Sequence, residues 1–282
     1  MKSIQNGLTV GFATVIIATS LSACSSQSAS SVPSGCTPEY SFTTVKGGVL
    51  TVAATDAPPL SSTADNSFTG AEASLLKKFA DANCLVVESL PTSFAAAIPT
   101  VESGRADIAT GGFYRTAERA KVVTLSAPTY LDQLAAVSKT GVSKINDAMG
   151  QKVGTVDGYM WTAEIRDSFG SNATVYPSSV EMRADLAAGR IAVALDSSGL
   201  ATHLYANDTD ISINILEPDA RVSATAQPAQ MGFPTAKTNA SLSEALDSAI
   251  SKWKEDGTTV RALKDAGLPP SMAEVGPARL LQ

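Results

Sequence analysis

Apolar and polar positions along the chain alternate between short β-rich runs and longer runs with helical spacing. Val49–Ala54 (VLTVAA) predicts a buried strand, and Ala71–Ala82 predicts a helix because its large apolar residues recur every three or four positions. Residues 85–89 (LVVES) predict the second strand, adjacent to the first in the sheet. This alternation indicates an α/β architecture with parallel strands.

The same order of elements occurs a second time. A helix that includes Phe94 ends near Gly104 before a strand at 106–110, and a helix at 181–188 ends at Gly189 before a strand at 191–195. Residues 152–156 (KVGTV) open the second set as Val49–Ala54 opens the first. The repeat is weak, and it indicates two similar lobes.

The carboxyl end predicts packing helices without chemistry. Apolar residues from Leu242 to Trp253 share one helical face, Gly257 interrupts the pattern, and a further helical segment ends at Gly267. Core packing accounts for each of these apolar residues.

The first 23 residues predict a signal peptide. Residues 8–21 are apolar but broken by Gly, Thr and Ser, which suits a secretion signal better than a membrane span. Leu21-Ser22-Ala23-Cys24 resembles the lipobox of bacterial lipoproteins. The resemblance implies that Cys24 is lipidated, with an acyl chain such as palmitate, and becomes the first mature residue.

Residues 24–46 form the predicted tether, Ser-rich over 25–34. Beyond Cys24, the cysteines Cys36 and Cys84 remain as an even pair in an oxidising compartment, which favours a disulfide. Such a bond would stabilise the fold by about 3–4 kcal/mol. Two buried thiols are the alternative.

Composition narrows the function classes. The 282 residues are 44% hydrophobic and 17% charged, which excludes disorder, collagen and coiled coil, and a net charge of -6 disfavours nucleic acid as a partner. A single histidine, His203, weakens most hydrolase and zinc-enzyme hypotheses. Neither a nucleotide-binding glycine motif nor a metal-ligand cluster is found in the sequence, so we expect no cofactor and no metal.

Three ordered motifs point to a known family. They are Gly48-Val49-Leu50-Thr51-Val52 with Asp56 and Pro58-Pro59, then Ser103-Gly104-Arg105-Ala106-Asp107, then Thr116-Ala117-Glu118-Arg119 followed by Leu125-Ser126-Ala127-Pro128-Thr129-Tyr130. Their succession resembles the family 3 extracellular solute-binding proteins, the receptors of polar amino acid ABC importers. The resemblance extends from about Gly47 to Gly267.

The resemblance implies a periplasmic-binding-protein-like type II fold, with two α/β lobes joined by two crossing segments near 130–137 and 227–237. Residues 47–133 and 232–282 would form lobe one, and 134–231 lobe two. A ligand between the lobes would favour closure because it contacts both. The closed form, a monomer, would be recognised by ABC permease subunits.

The resemblance also nominates ligand-binding residues. Arg119 would bind the α-carboxylate of the ligand, as a guanidinium fork does, and Asp196 would pair with its ammonium. An exposed arginine beside Glu118, and a plain loop aspartate, are the alternatives. Asp56 would neutralise a cationic side chain or hold the ammonium together with Asp196, with a turn-forming role as the alternative, and Gly112 completes the first-lobe set.

The sequence departs from the family pattern at two places. Tyr159 and Trp161 follow Gly158 where the family usually has Gly-Thr or Gly-Ser at a predicted helix start, and Tyr114 stands where a Thr or Ser hydroxyl normally contacts the ligand. Backbone N–H groups at a helix start suit an anion. The aromatic rings offer surface for stacking on an apolar or cationic group, and core or rim packing is the alternative.

The leading hypothesis is a receptor anchored by lipid on the outside of the bacterial cell membrane, which captures an amino acid or related carboxylate and delivers it to a permease. A dehydratase acting on a cyclic acid is a second hypothesis, with Asp56 or Asp196 as the only candidate acids. A ligand-sensing protein is the third, because fold and cleft do not separate transport from signalling.

Overall fold

The part of the chain described by the computed structural model is Met1, Val32, residues 35–64 and residues 67–282. Cys24 lies outside the described residues, as do most of the predicted signal peptide and most of the Ser-rich stretch. Residues from Val32 to Gln282 form one compact unit. No helix in the described ranges is long and apolar enough to cross a membrane.

Twelve strands are assigned in the described part of the chain: β1 (Val49–Ala54), β2 (Val86–Pro91), β3 (Ile108–Thr110), β4 (Val123–Leu125), β5 (Leu131–Asp132), β6 (Leu134–Ser138), β7 (Val153–Val156), β8 (Ala173–Tyr176), β9 (Val193–Ser197), β10 (Ser212–Ile215), β11 (Ala229–Gln230) and β12 (Pro234–Ala236).

Nine α-helices are assigned in the same ranges: α1 (Ala71–Ala82), α2 (Phe94–Glu102), α3 (Ala117–Ala120), α4 (Ile145–Ala148), α5 (Thr162–Phe169), α6 (Ser179–Ala187), α7 (Ser198–Leu204), α8 (Ala240–Glu255) and α9 (Thr258–Asp265).

The first sheet has the strand order β2-β1-β3-β12-β4. Strand β1 pairs in parallel with β2 and β3, which confirms the predicted adjacency of the first two strands. Strand β12 pairs antiparallel to β3 and β4 because the chain re-enters this sheet from the opposite direction. The expectation of parallel strands therefore holds for only part of the sheet.

The second sheet has the order β10-β6-β9-β7-β8 and repeats this mixed pattern. Strand β7 is parallel to β8 and β9, whereas β6 is antiparallel to β9 and β10. Gly104 and Gly189, at which helices were predicted to end, precede β3 and β9. These strands lie next to β1 and β7, so they occupy equivalent places in the two sheets. We call each sheet with its covering helices a lobe.

Two short strands connect the lobes side by side. β5 pairs antiparallel with β11, with Leu131 opposite Gln230 and Asp132 opposite Ala229. We call this pair the crossing ribbon. Both chain segments that join the lobes pass through this ribbon. The space between the lobes therefore lies directly beside it.

The first lobe is held by an apolar core between its sheet and helices α1 and α8. Leu76 and Phe79 of α1 and Leu246 of α8 are at most 1% exposed and pack with strand residues such as Leu50. Burying a side chain of this size stabilises the fold by about 1.5–3 kcal/mol. The core fixes α1, which carries a buried carboxylate to the site.

The chain preceding β1 is fastened to the first lobe. Cys36 and Cys84 form a disulfide, with 5.8 Å between their Cα atoms. The Tyr40 N–H donates to Asn83 Oδ1 at 2.9 Å, and Phe42 stacks on Phe79. Residues from Cys36 onward are thereby part of the folded domain.

The structure corrects the predicted start of the helix that follows β7. Helix α5 begins at Thr162, so the prediction of a helix start at Gly158 is wrong by four residues. The Tyr159 N–H donates to the Val156 carbonyl, and the Thr162 N–H donates to the Tyr159 carbonyl. These bonds form a turn that projects Gly158 and Tyr159 toward the first lobe.

Candidate functional site

The candidate site lies between the lobes, in an enclosed pocket beside the crossing ribbon. Its walls combine aromatic rings, glycine backbone and one guanidinium: Phe94, Gly111, Gly112, Tyr114, Arg119, Tyr159, Met160, Trp161, Ser197 and Leu200. An outer cavity of about 330 Å³ adjoins it, lined by Asp56, Ser93, Phe94, Tyr159, Ser178, Ser179 and Glu181 among others.

Arg119 projects into the pocket from the short helix α3. The Thr116 hydroxyl accepts a hydrogen bond from the Arg119 N–H and so caps this helix, which fixes the direction of the side chain. Its Nη1 donates to the Tyr114 carbonyl and its Nη2 to the Gly158 carbonyl of the second lobe, both at 3.0 Å. The guanidinium therefore reaches across the cleft.

The positive charge of Arg119 has no carboxylate partner among the described residues. The guanidinium carbon lies 5.5 Å from the ring centre of Phe94 and 5.3 Å from that of Phe113. Desolvation lowers the pKa of Arg119 to about 10, so the group stays cationic at neutral pH. A half-buried cation held only by carbonyls and rings is suited to bind an anion.

Asp196 lies in β9 and is completely buried. Its Oδ1 accepts hydrogen bonds from the Ser197 N–H at 2.8 Å and from the Tyr159 hydroxyl at 3.0 Å, whereas its Oδ2 has no hydrogen-bond partner. Burial raises the pKa of Asp196 to about 6 despite these bonds. A buried carboxylate with a free oxygen is suited to bind a cation.

Gly158 brings the two lobes into close contact. Its φ is +81°, and a Cβ atom at this position would lie 2.9 Å from the Cα of Ala95 in helix α2. Both the left-handed backbone and the contact require glycine here. The carbonyl of Gly158, not its N–H, faces Arg119.

Tyr114 and Trp161 pack against each other within the pocket. Their rings meet edge to face at 5.5 Å, and the Trp161 Nε1 donates to Thr155 Oγ1 at 2.9 Å. The Tyr114 hydroxyl donates to Asp132 Oδ2 at 3.3 Å. Both polar tips are thus bonded to the protein, and the rings form an apolar wall.

Asp132 in the crossing ribbon links the lobes. Its carboxylate accepts hydrogen bonds from the Ser197 hydroxyl, from the Ser198 hydroxyl at 2.6 Å and from the Gly199 N–H at 3.1 Å, at the start of α7. With Tyr114 as a further donor, one buried side chain contacts both walls of the pocket. Burial raises the pKa of Asp132.

Glu72 in α1 holds the glycine loop after β3. Its carboxylate accepts from the Gly111 N–H at 2.7 Å, from the Gly112 N–H at 3.3 Å and from the Tyr130 hydroxyl at 2.6 Å. Burial raises the pKa of Glu72, and these donors oppose the rise. The Gly112 N–H is therefore bonded to Glu72 and not directed freely into the pocket.

Asp56 lies at the rim and not in the enclosed pocket. Its side chain is exposed and lines the outer cavity, where Oδ1 accepts from the Ser62 hydroxyl at 2.9 Å. Glu181 lines the opposite side of this cavity from helix α6. The outer cavity therefore carries two carboxylates and no cationic side chain among its lining residues.

The structure brings most of the predicted site residues together. Gly112, Tyr114, Arg119, Tyr159 and Trp161 line one pocket, Gly158 contacts Arg119, and Asp196 is reached through Tyr159.

Sequence reasoning missed Glu72, Phe94 and Asp132. Glu72 had a signal: it precedes Leu75, Leu76 and Phe79 by three, four and seven positions and so lies on the apolar face of α1. An acid on a buried helical face needs partners.

Within the described residues, no group of three or more His, Cys, Asp or Glu side chains is arranged to hold a metal ion.

Comparison with known families gives a match over residues 50–265, to the bacterial extracellular solute-binding proteins, family 3. The matched segment includes both sheets and the crossing ribbon. It also contains every residue of the candidate pocket.

Individual relatives point the same way. A putative ABC transporter arginine-binding protein 2 of Escherichia coli K12 is 28% identical over 208 residues, 71% of this chain and 83% of the relative. The amino acid ABC transporter substrate-binding protein AbpA of Streptococcus pneumoniae, solved with L-arginine, has a TM-score of 0.69 and 26% identity, covering 80% of this chain and 96% of its own. EhuB in complex with hydroxyectoine shares the fold, with a TM-score of 0.70 and 23% identity over 80% of this chain and 91% of its own.

Proposed function

Since the chain belongs to the bacterial extracellular solute-binding proteins of family 3, we propose that it captures an amino acid between its lobes and delivers it to the permease of an ABC importer. In this proposal Arg119 binds the α-carboxylate and Asp196 binds the α-ammonium. The enclosed pocket has a free volume of only about 10 Å³, so the ligand backbone enters it by replacing the contacts that fill it, and the outer cavity receives the ligand side chain.

The observation that supports this proposal most is the unpaired guanidinium of Arg119. Its acceptors are two neutral carbonyls, one from each lobe. A ligand carboxylate replaces a neutral acceptor with a charged one and forms a bidentate pair. Because a carboxylate pairs with the guanidinium more strongly than a neutral carbonyl does, this exchange of acceptors favours binding of an anion at Arg119.

Asp196 supplies the complementary charge. Its Oδ2 is buried without a partner, which is unfavourable for an ionised carboxylate. An ammonium group of the ligand would satisfy it. A cation site and an anion site on opposite lobes together fit a zwitterion.

The outer cavity favours a cationic side chain. Asp56 and Glu181 are the charged residues that line it, and both are acidic. The S. pneumoniae structure contains L-arginine, and the E. coli relative is described as arginine-binding. We therefore propose arginine-like amino acids as the first ligands to test.

A thermal-shift screen of the purified protein tests the proposal. Ligands that bind only the native state raise the melting temperature with concentration. We expect L-arginine or another amino acid to raise it, and agmatine, which is arginine without its α-carboxylate, to give a much smaller shift. Ligand recovered chemically unchanged would agree with binding without turnover.

No shift with any amino acid would contradict the proposed function. An equal shift with agmatine and L-arginine would contradict the role of Arg119, whatever the identity of the best ligand.

The lobe boundaries form part of the proposal. We assign residues 47–133 and 232–282 to lobe one and 134–231 to lobe two, with the crossing ribbon as the hinge. Membership of β12 in the first sheet and of β6 in the second supports these limits.

Cys24 is proposed to carry the lipid anchor that retains the protein at the outer face of the cell membrane. With Cys36 and Cys84 bonded to each other, Cys24 is the remaining cysteine of the three. Incorporation of a palmitate analogue into the wild type, and its loss together with membrane retention in Cys24→Ala, would support the anchor. Membrane retention of Cys24→Ala would contradict it.

A further inference from the structure

Tyr159 contacts both lobes from the turn that follows β7. Its hydroxyl donates to Asp196 Oδ1 at 3.0 Å and lies 3.1 Å from Ser179 Oγ. Its ring meets that of Phe94 in the first lobe edge to face, with 4.9 Å between the ring centres. A single side chain therefore covers Asp196 and fills part of the cleft.

Gly158, the residue before Tyr159, contacts Arg119 of the first lobe. The Gly158 carbonyl accepts a hydrogen bond from Arg119 Nη2 at 3.0 Å. Gly158 and Tyr159 thus give Arg119 an acceptor oxygen and Asp196 a donor hydrogen. These are the two kinds of group that the carboxylate and the ammonium of an amino acid present.

Access to Asp196 depends on this arrangement. Tyr159 lines both the enclosed pocket and the outer cavity, whereas Asp196 lines neither and is completely buried. Of the two residues hydrogen-bonded to Asp196, Ser197 lines only the enclosed pocket, whereas Tyr159 lines both spaces. Asp196 Oδ1, the oxygen that Tyr159 occupies, has the Ser197 N–H as its other donor.

We propose that the Gly158-Tyr159 segment is a built-in competitor of the ligand, and that the Tyr159 hydroxyl sets the affinity for ligands with an ammonium group. This inference rests on the proposed function. An ammonium that reaches Asp196 past the Tyr159 side chain, at Oδ1 or at the partnerless Oδ2, displaces the hydroxyl, whereas a ligand without an ammonium leaves it in place. Tyr159 is therefore a specificity-determining residue that acts by occupying the ammonium position.

Tyr159→Phe tests the proposal because it removes the hydroxyl and keeps the ring against Phe94 and Trp161. The probes are L-arginine and 5-guanidinopentanoate, which is arginine without its α-ammonium, each titrated by calorimetry. We expect Tyr159→Phe to bind L-arginine about three- to tenfold more tightly, the range for one lost competing hydrogen bond. Its affinity for 5-guanidinopentanoate should stay within about twofold of wild type.

Tyr176→Phe is the matched control. It removes a hydroxyl of the same lobe that donates to Asp185 Oδ2 at 2.8 Å, away from both cavities. Binding of both probes should be unchanged in this variant. A general effect of losing a tyrosine hydroxyl would appear in both variants.

Weaker binding of L-arginine by Tyr159→Phe would show that the hydroxyl contacts the ligand, and would overturn the proposal. Unchanged binding of L-arginine, or an equal change for both probes, would overturn it as well, and in each case wild-type binding would leave the proposed function standing. Failure of wild type and variant to bind L-arginine or any other amino acid would instead refute the proposed function, and this inference with it.

Discussion

Arg119 and Asp196 share an unusual electrostatic state, because neither forms an ion pair among the described residues, although Arg119 lines the pocket and Asp196 is completely buried next to Tyr159. Paired buried charges are common in proteins, whereas unpaired ones are costly and concentrate at functional sites. Their opposite signs on opposite lobes are the residue-scale basis for assigning a zwitterionic ligand.

Replacing Arg119 tests the anion side of the site. We expect Arg119→Ala to weaken binding of the best amino acid ligand by at least about 1.5–3 kcal/mol, since a charged hydrogen-bond partner is lost. Calorimetry of wild type and variant measures the difference.

Arg105→Ala is the control for loss of a positive charge. Arg105 belongs to the first lobe, but its side chain is exposed and its Nε bonds to Ser103 Oγ. The affinity of Arg105→Ala for the ligand should match that of the wild type. Unchanged affinity in Arg119→Ala would rule out the assigned carboxylate contact.

Protonation of Asp196 should make ligand binding depend on pH. Because its pKa is raised to about 6, the carboxylate that pairs with an ammonium is lost as pH falls through 6. We expect affinity for an ammonium-bearing ligand to drop about tenfold from pH 7 to pH 5. Calorimetry at the two pH values measures this.

The linked effect on stability has the opposite sign. A carboxyl whose folded pKa is raised contributes most to stability below its unfolded pKa of about 3.8, and the contribution is lost as pH rises through 6. Asp196→Asn should bind the ligand weakly. Its stability and its ligand affinity should both change little with pH in this range. A wild-type profile that persists in Asp196→Asn would assign the titration to another group, such as Asp132.

At the scale of elements, the local spacing of apolar residues predicted the core strands and helices better than it predicted the segments that form the site. Strand β1 and helix α1 have the bounds that their apolar runs predict, because their burial follows directly from residue spacing. The start of α5 was wrong because Gly158, Tyr159 and Trp161 are held by contacts to the other lobe. Such contacts leave no periodic signal.

The same limit applies to the supporting residues. The family resemblance nominated Arg119 and Asp196, whereas Asp132 lies in a short crossing strand that has no pattern of its own. The antiparallel direction of β12 likewise has no signal in its own residues, because it depends on where the chain crosses back from the second lobe to the first.

The carboxyl-terminal segment is an element that sequence analysis left without a role. Gln230 of the crossing ribbon, 1% exposed, accepts from Arg115 Nη1 and the Arg279 N–H, and donates to the Val275 and Pro277 carbonyls. All four bonds lie between 2.7 and 3.0 Å. One side chain thus joins the ribbon to the chain end.

The chain end in turn supports the arginine helix. The Ala117 N–H donates to the Leu281 carbonyl at 2.8 Å, and the Leu281 N–H donates to the Arg115 carbonyl at 2.9 Å. The first of these bonds satisfies the first N–H of α3, the helix that presents Arg119, and the second ties the chain end to the residue before the helix cap. The segment therefore helps to position the guanidinium of Arg119.

Gln230→Ala should lower the free energy of unfolding by about 2–4 kcal/mol, because it leaves several buried donors and acceptors unpaired. Urea denaturation measures the loss. Gln151→Ala, which alters an amide at the protein surface that bonds only to the Asp147 carbonyl, is the control and should change stability little. Equal stability of the two variants would contradict the role assigned to Gln230.

At the scale of the whole molecule, two mixed sheets are joined by a narrow ribbon, which is where the proposed opening and closing of the lobes would hinge. Several contacts cross the cleft within the pocket itself, among them Arg119 with Gly158, Tyr159 with Phe94 and Trp161 with Tyr114. A ligand that replaces them adds its own contacts to both lobes and so favours the closed arrangement.

The disulfide is expected to act on stability and not on ligand binding. It joins residues 48 positions apart on the first lobe, outside the pocket. Replacing both cysteines, Cys36→Ser with Cys84→Ser, should lower the free energy of unfolding by about 4 kcal/mol in the chain-entropy model. Denaturant titration measures the loss, and a change in ligand affinity at temperatures where the variant is folded would contradict this division of roles.

The most direct test of the central claim is a crystal structure of the protein with the amino acid that gives the largest thermal shift. We predict that the ligand carboxylate contacts the guanidinium of Arg119 in place of the Gly158 carbonyl, and that its ammonium contacts Asp196. A ligand bound with its carboxylate away from Arg119, or outside the pocket between the lobes, would contradict the account.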